Sequence, residues 1–146
     1  MSGENLRKTG KEMEDVAAEY LTERGVRILE RNFRSREAEI DIIGKEGETL
    51  VFVEVKARRT GKKSGEAIEA VGTAKQKRIC RCADFYMHEK GIDPFSTGIR
   101  FDVIAVTIPD GKEGSSSEKE DCSVRWIRNA FTYISYSRAK PHGRVW

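Results

Sequence analysis

Thr49-Leu50-Val51-Phe52-Val53-Glu54-Val55-Lys56-Ala57 is the stretch that decides how this chain folds. Strand side chains alternate between faces, so Leu50, Phe52, Glu54 and Lys56 share one face and Val51, Val53 and Val55 the other. Both faces begin apolar, as a central strand covered on two sides requires. The first face then ends on a carboxylate and an ammonium, which are costly at such a place unless they are paired or bind an ion.

Working outward, Ala38 to Ile43 reads as the preceding strand of a hairpin, joined through Gly44-Lys45-Glu46-Gly47-Glu48. Pairing Lys45 with Glu48 sets Asp41 opposite Phe52 and diagonal to Glu54, within ~8 Å between backbone positions. Two carboxylates then converge with Lys56 beside them, and a one-residue slip would send Asp41 to the other face. Val26 to Arg34 reads as an earlier strand, with Ile28 and Leu29 as its buried residues. Before it, Thr9 and Glu12 form a capping-box pattern opening a helix whose stripe is Met13, Val16, Ala17, Tyr20 and Leu21, stopped by Gly25.

Downstream, a Gly- and Lys-bearing loop runs from Arg58 to Gly65. Thr73 and Gln76 make a second capping box for a helix with the stripe Ile79, Cys82, Ala83, Tyr86 and Met87, ended by Gly91. Gly98 to Ile108 is a further strand with Phe101, Val103 and Ala105 on one face, and Ser123 to Ile127 a last short one carrying Trp126. The order α-β-β-β-α-β-β predicts an α/β fold, a mixed central sheet flanked by helices. Residues 1–134 are expected to form a single domain with a mobile loop at 109–121. The basic tail 135–146 has little periodicity and suits disorder.

The 146 residues are 38% hydrophobic and 35% charged, the balance of a water-soluble globular domain. No apolar run approaches the ~20 residues that span a bilayer. Met1 to Thr9 is polar, without the apolar segment of a secretory signal, so the expectation is a cytoplasmic protein with no membrane partner. Net charge is only +3, but basic residues cluster at Lys56, Arg58, Arg59, Lys62 and Lys63 and again at Lys75, Lys77, Arg78 and Arg81. Such clusters can neutralise phosphates, although a solvated charged face accounts for either one alone. Cys80, Cys82 and Cys122 have no zinc-like spacing and read as reduced thiols; Cys80 and Cys82 point to different sides of their helix, with Cys82 partly in the core. His88 and His142 lie far apart and suggest neither a ligand pair nor a general base.

Mg²⁺, or Mn²⁺ in its place, prefers carboxylate, carbonyl and water oxygens. Asp41, Glu54 and the backbone carbonyl of Val55 could supply part of that shell, with Lys56 orienting a water or stabilising developing charge. Glu14 on the first helix could add an acidic contact. The alternative is a structural ion pair of Asp41, Glu54 and Lys56 with Glu39 and Arg58 at its rim. The Arg58 to Lys63 segment, including Arg59 and Lys62, is the expected grip on a nucleic-acid backbone. Lys75 and Gln76, in the first turn of their helix, either touch phosphate or merely cap. Trp126 and Phe131 are expected in the core rather than stacked on bases.

The ordered set Gly10-Lys11-Glu12-Met13-Glu14, Ile28-Leu29-Glu30-Arg31-Asn32-Phe33-Arg34, Glu39-Ile40-Asp41, Leu50 to Lys56, Lys75-Gln76, Arg100-Phe101-Asp102-Val103 and Asn129-Ala130-Phe131 resembles the YraN family of small bacterial proteins. That family is itself similar to the PD-(D/E)xK nuclease superfamily and to archaeal Holliday-junction resolvases. The resemblance covers nearly the whole chain up to Phe131. It implies a restriction-endonuclease-like fold, Asp41 and Glu54 as metal ligands, Lys56 as the catalytic lysine and Glu14 as the helix carboxylate. Two positions depart from the family pattern: Met13 and Ala38 stand where glycine is usual. Ala38 matters if its position needs positive φ. The implied activity is metal-dependent hydrolysis of phosphodiester bonds, of DNA sooner than RNA, with branched DNA among the implied substrates. The rival readings are a nucleic-acid-binding module that does not cut and an adaptor in a repair or recombination complex. A homodimer is left open, since resolvase-like enzymes commonly pair to cut two strands.

Overall fold

The computed structural model describes residues 3–59, 71–109 and 122–133. Along the chain run α1 (Gly3–Glu23), β1 (Arg27–Arg34), β2 (Glu39–Glu46), β3 (Thr49–Arg59), α2 (Thr73–Lys90), β4 (Gly98–Ile108) and β5 (Ser123–Phe131). The strands form one sheet in the order β1-β2-β3-β4-β5. All neighbours are antiparallel except β3 and β4, which are parallel and joined through α2. This is the α-β-β-β-α-β-β order and mixed sheet expected of a restriction-endonuclease-like fold.

Each face of β3 has its own apolar layer, as the alternation of the strand requires. Val51 and Val53 pack with Met13, Ala17 and Leu21 of α1, and Leu50 and Phe52 pack with Ile79, Ala83 and Tyr86 of α2. Phe52 also stacks on Phe101, and Phe101 on Phe131, with ring centroids 5.3 and 4.9 Å apart. Trp126 meets Tyr20 edge-on, so both Trp126 and Phe131 are packing residues, as expected.

The hairpin register differs from the expected one by two residues. Ile43 pairs with Phe52 and Glu46 with Thr49, leaving Gly47 and Glu48 as the loop. Gly47 has φ +60°, as a two-residue turn with glycine in its first position demands. Continuing that register one step past Ile42–Val53 sets Asp41 opposite Glu54 rather than opposite Phe52. A two-residue change keeps the parity, so the two carboxylates remain together. Ile40 and Ile43 both enter the α2 layer while Ile42 enters the α1 layer, so the alternation of β2 breaks around Asp41.

Several boundaries also move. Thr9 lies inside α1, which begins at Gly3, so the Thr9–Glu12 box does not open that helix. Gly72, not Thr73, is the N-cap of α2, and no side chain caps it. Leu29 is 39% exposed and only Ile28 is partly buried, because the register of the edge strand β1 shifts between Ile28 and Glu30. Cys80 is buried as fully as Cys82; its thiol lies 4.0 Å from the Thr132 carbonyl oxygen, where the chain after β5 covers α2. β5 continues to Phe131, past the expected end at Ile127. Gly25 and Gly91 follow their helices with φ +98° and +70°, the stops read from the sequence. Ala38 does not adopt positive φ, so alanine is unstrained there. Among the described residues no helix is long and apolar enough to cross a membrane. The expected loop at 109–121, apart from Pro109, and the tail at 135–146 lie outside the described residues.

Candidate metal centre

The site begins where β2 and β3 part. Their backbone pairs run from Ile42–Val53 to Glu46–Thr49. One residue further, the side chain of Asp41 takes over as acceptor: its Oδ2 receives the N–H of Val55 at 2.7 Å. That bond fixes the half-buried Asp41 carboxyl beside Glu54. Burial pushes the Asp41 pKa up to about 7, reinforced by the negative charge of Glu54 and, more weakly, of Glu14 and Glu39; the Val55 N–H pulls the other way.

Each neighbouring carboxylate has a cation within reach. Glu54, 11% exposed, accepts from the Lys75 ammonium at 2.5 Å. Glu14 lies 3.7 Å from Arg31, whose closer partner is Asp15 at 2.9 Å. Glu39 lies 3.4 Å from Arg34. Among the described residues Asp41 Oδ1 and Glu54 Oε1 receive no hydrogen bond. Lys56, half-buried on the same face of β3 as Glu54, makes no ion pair or hydrogen bond among the described residues. The structural pairing of Glu54 with Lys56 is therefore not the one observed.

The structure brings together Asp41, Glu54 and Val55, with Glu14 close enough to act on Asp41 through its charge. Arg58 and Arg59 close β3 at the same end of the strand, while Lys62 and Lys63 lie outside the described residues. Lys75 turns to Glu54. The Gln76 amide donates to the Val71 carbonyl at 2.7 Å, so this side chain holds the entry to α2. The Lys75–Glu54 pair was not read from the sequence, yet a signal for it exists. A helix that follows a strand in a parallel crossover starts at the end where that strand stops, which brings the first turn of α2 to Glu54.

The donors suit a hard divalent cation: two carboxylates held by one hairpin, each with an oxygen that receives no hydrogen bond among the described residues. Among the described residues no cluster of three or more His, Cys, Asp or Glu side chains stands ready to hold a metal. An ion here would draw on Asp41, Glu54, the Val55 carbonyl and water, and Mg²⁺ characteristically keeps several waters.

A five-stranded mixed sheet with a helix on each face and paired carboxylates where β2 leaves β3 places the chain among proteins of restriction-endonuclease-like fold. More narrowly, the chain belongs to the family described as Uncharacterised protein family UPF0102, whose model matches residues 13–106. It is 45% identical over 135 residues to a UPF0102 protein of Syntrophus aciditrophicus, covering 92% of this chain and 95% of that one. It is 41% identical over 122 residues to a UPF0102 protein of Colwellia psychrerythraea, covering 84% and 87%. A UPF0102 protein of Symbiobacterium thermophilum is 44% identical over 126 residues, 86% of this chain and 97% of its own. This is the family anticipated from the sequence under the name YraN.

Proposed function

We propose that the chain is a divalent-metal-dependent endonuclease that hydrolyses phosphodiester bonds of DNA, branched DNA among its substrates. The observation that carries this reading is the Asp41 carboxylate, locked on the Val55 N–H at 2.7 Å beside Glu54. Lys56, two residues beyond Glu54 on the same strand face, is left without a partner among the described residues. A purely structural use of three ionisable groups would pair them with one another; here one carboxyl is kept at a raised pKa and the lysine stands apart.

Mg²⁺ or Mn²⁺ at this place would supply Lewis acidity towards a phosphate oxygen and make water more acidic. Asp41 and Glu54 would hold the ion, with the Val55 carbonyl as a further ligand, while the Val55 N–H keeps the Asp41 side chain in place. Lys56 orients the attacking water and offsets negative charge that grows on the phosphate. Glu14 adds charge to the same pocket from α1. Water attacks phosphorus in line, a new P–O bond forms, and the bond to the 3′ oxygen breaks, leaving a 5′-phosphate and a 3′-hydroxyl. Arg58 and Arg59, with the basic stretch that follows them, grip the backbone by charge. Binding is then strongly salt-sensitive and indifferent to sequence.

The test is cleavage of labelled single-stranded, duplex, flap and four-way-junction nucleic acids with Mg²⁺, Mn²⁺ or EDTA. Metal-dependent cutting that Asp41→Ala abolishes is expected, and the best substrate in the panel names the preferred structure. Absence of cutting by folded protein with either metal would set the proposal aside.

A further inference from the structure

Glu54 finds its charge partner on a different element. Lys75 sits in the first turn of α2, where the helix dipole disfavours a cation and where no acidic side chain compensates it. Its position is therefore explained by Glu54, 2.5 Å away, rather than by the helix. The two partners differ in freedom: the Lys75 side chain is 42% exposed and Glu54 only 11%. An ammonium on a flexible four-carbon stem can swing into water at little cost, whereas the carboxylate stays in place.

We propose that Lys75 is a built-in counter-ion that competes with the divalent cation for Glu54 and is displaced when the cation binds. The inference rests on the metal-centre reading above. Lys75 holds Glu54 through Oε2, so the competition is one of charge: an ammonium on Oε2 and a divalent cation on the other oxygen would repel each other across a single carboxylate. Arg31 and Arg34 do not play this part: they reach Glu14 and Glu39, at 3.7 and 3.4 Å, and among the described residues Glu54 is paired with Lys75. Occupancy of Glu54 by the ammonium thus lowers the affinity of the empty centre for metal. It also places a released positive charge at the mouth of the site once metal has entered.

The experiment is calorimetric titration of Mn²⁺ into the EDTA-stripped, full-length chain, comparing wild type, Lys75→Met, Lys75→Arg and Asp41→Asn, each verified as folded by thermal melting. Lys75→Met, which keeps the apolar stem, is expected to bind Mn²⁺ roughly fivefold tighter or more, the size of an ordinary coupling between sites. Lys75→Arg, which keeps the charge, is expected to stay near wild type, and Asp41→Asn to lose binding. If wild type binds Mn²⁺ and Asp41→Asn does not, but Lys75→Met binds no tighter than wild type, the counter-ion role is wrong and the metal centre stands. If neither wild type nor Lys75→Met binds Mn²⁺, the centre itself is wrong and the counter-ion role falls with it.

Discussion

Asp41 carries two demands that conflict. Its fold role is to accept the Val55 N–H, and its proposed chemical role is to be ionised beside Glu54. With its pKa raised from 3.8 to about 7, the folded chain binds a proton that the unfolded chain releases between those values. Asp41 therefore contributes its full stability below pH 3.8 and loses it as pH rises through about 7. Asp41→Asn keeps an acceptor for Val55 and removes the titration. In EDTA, urea denaturation should show this variant gaining about 2 kcal/mol on wild type between pH 4 and pH 8, a discounted share of the full linkage. A stability difference that stays flat with pH would show that Asp41 is not held protonated by its surroundings.

At the scale of elements, the β2–β3 hairpin sets the site. Gly44 pairs with Ile28 of β1, and a Cβ there would stand 2.7 Å from Val26 Cγ1 and 3.0 Å from the Arg27 carbonyl oxygen. Gly44→Ala should cost roughly 1–3 kcal/mol by overpacking, read as a lower urea midpoint with unchanged slope. Unchanged stability would mean that the edge strand yields freely. The hairpin also shows what a sequence can reveal. The alternation of Leu50, Phe52, Glu54 against Val51, Val53, Val55 was legible because strand geometry has a fixed period and both helices need an apolar face. The register was misread because the chain turns at Gly47–Glu48 rather than around Glu46, and glycine stands at both Gly44 and Gly47. The carboxylates still met, since only an odd shift would have parted them. The capping boxes failed because local spacing does not fix where a helix starts: helix already precedes Thr9, and Thr73 is the first helical residue after the Gly72 cap rather than the cap itself. The Lys75–Glu54 pair and Leu29's exposure depend on which elements become neighbours, which no local pattern states.

Over the whole molecule, a second ionic assembly clasps β2, β4 and β5 together. Asp102 is 1% exposed and accepts from Arg100 through both oxygens, from the Trp126 indole and from the Asn129 N–H. Asn129 reaches it with φ 54°, a conformation asparagine tolerates, at the irregularity of the β4–β5 ladder. Arg100 and Arg128 also converge on Glu46 at 2.8 and 2.7 Å, so β2, β4 and β5 are tied together across β3. Asp102→Ala should destabilise by about 3 kcal/mol or more, because it takes from the half-buried Arg100 its main partner and from the Trp126 indole and the Asn129 N–H their acceptor. A loss under 1 kcal/mol by chemical denaturation would contradict the clasp. The Arg128 hydrogen bond, with help from Arg100 and against burial, holds the Glu46 carboxyl down at about 2. Its contribution is present above pH 4.5 and is lost as pH falls towards 2. Solvent screening reduces that contribution to about 1 kcal/mol. Glu46→Gln should accordingly trail wild type at pH 6 and draw level near pH 2 in acid-unfolding curves; a gap that persists at pH 2 would show that the charge is not what binds it. The Asp102 clasp went unread in the sequence because its members are scattered between Glu46 and Asn129.

The most direct test of the proposed chemistry is single-turnover cleavage of an end-labelled four-way junction in Mn²⁺, comparing wild type with Lys56→Met. Lys56 has no ion-pair or hydrogen-bond partner among the described residues, so its removal should leave folding intact, and saturating protein offsets any weaker binding of the junction. The cutting rate should then fall by roughly a hundredfold or more, the loss of one charge-stabilising group, with residual products still ending in 5′-phosphate. Equal rates for the two proteins, or cutting that persists in EDTA, would contradict the account.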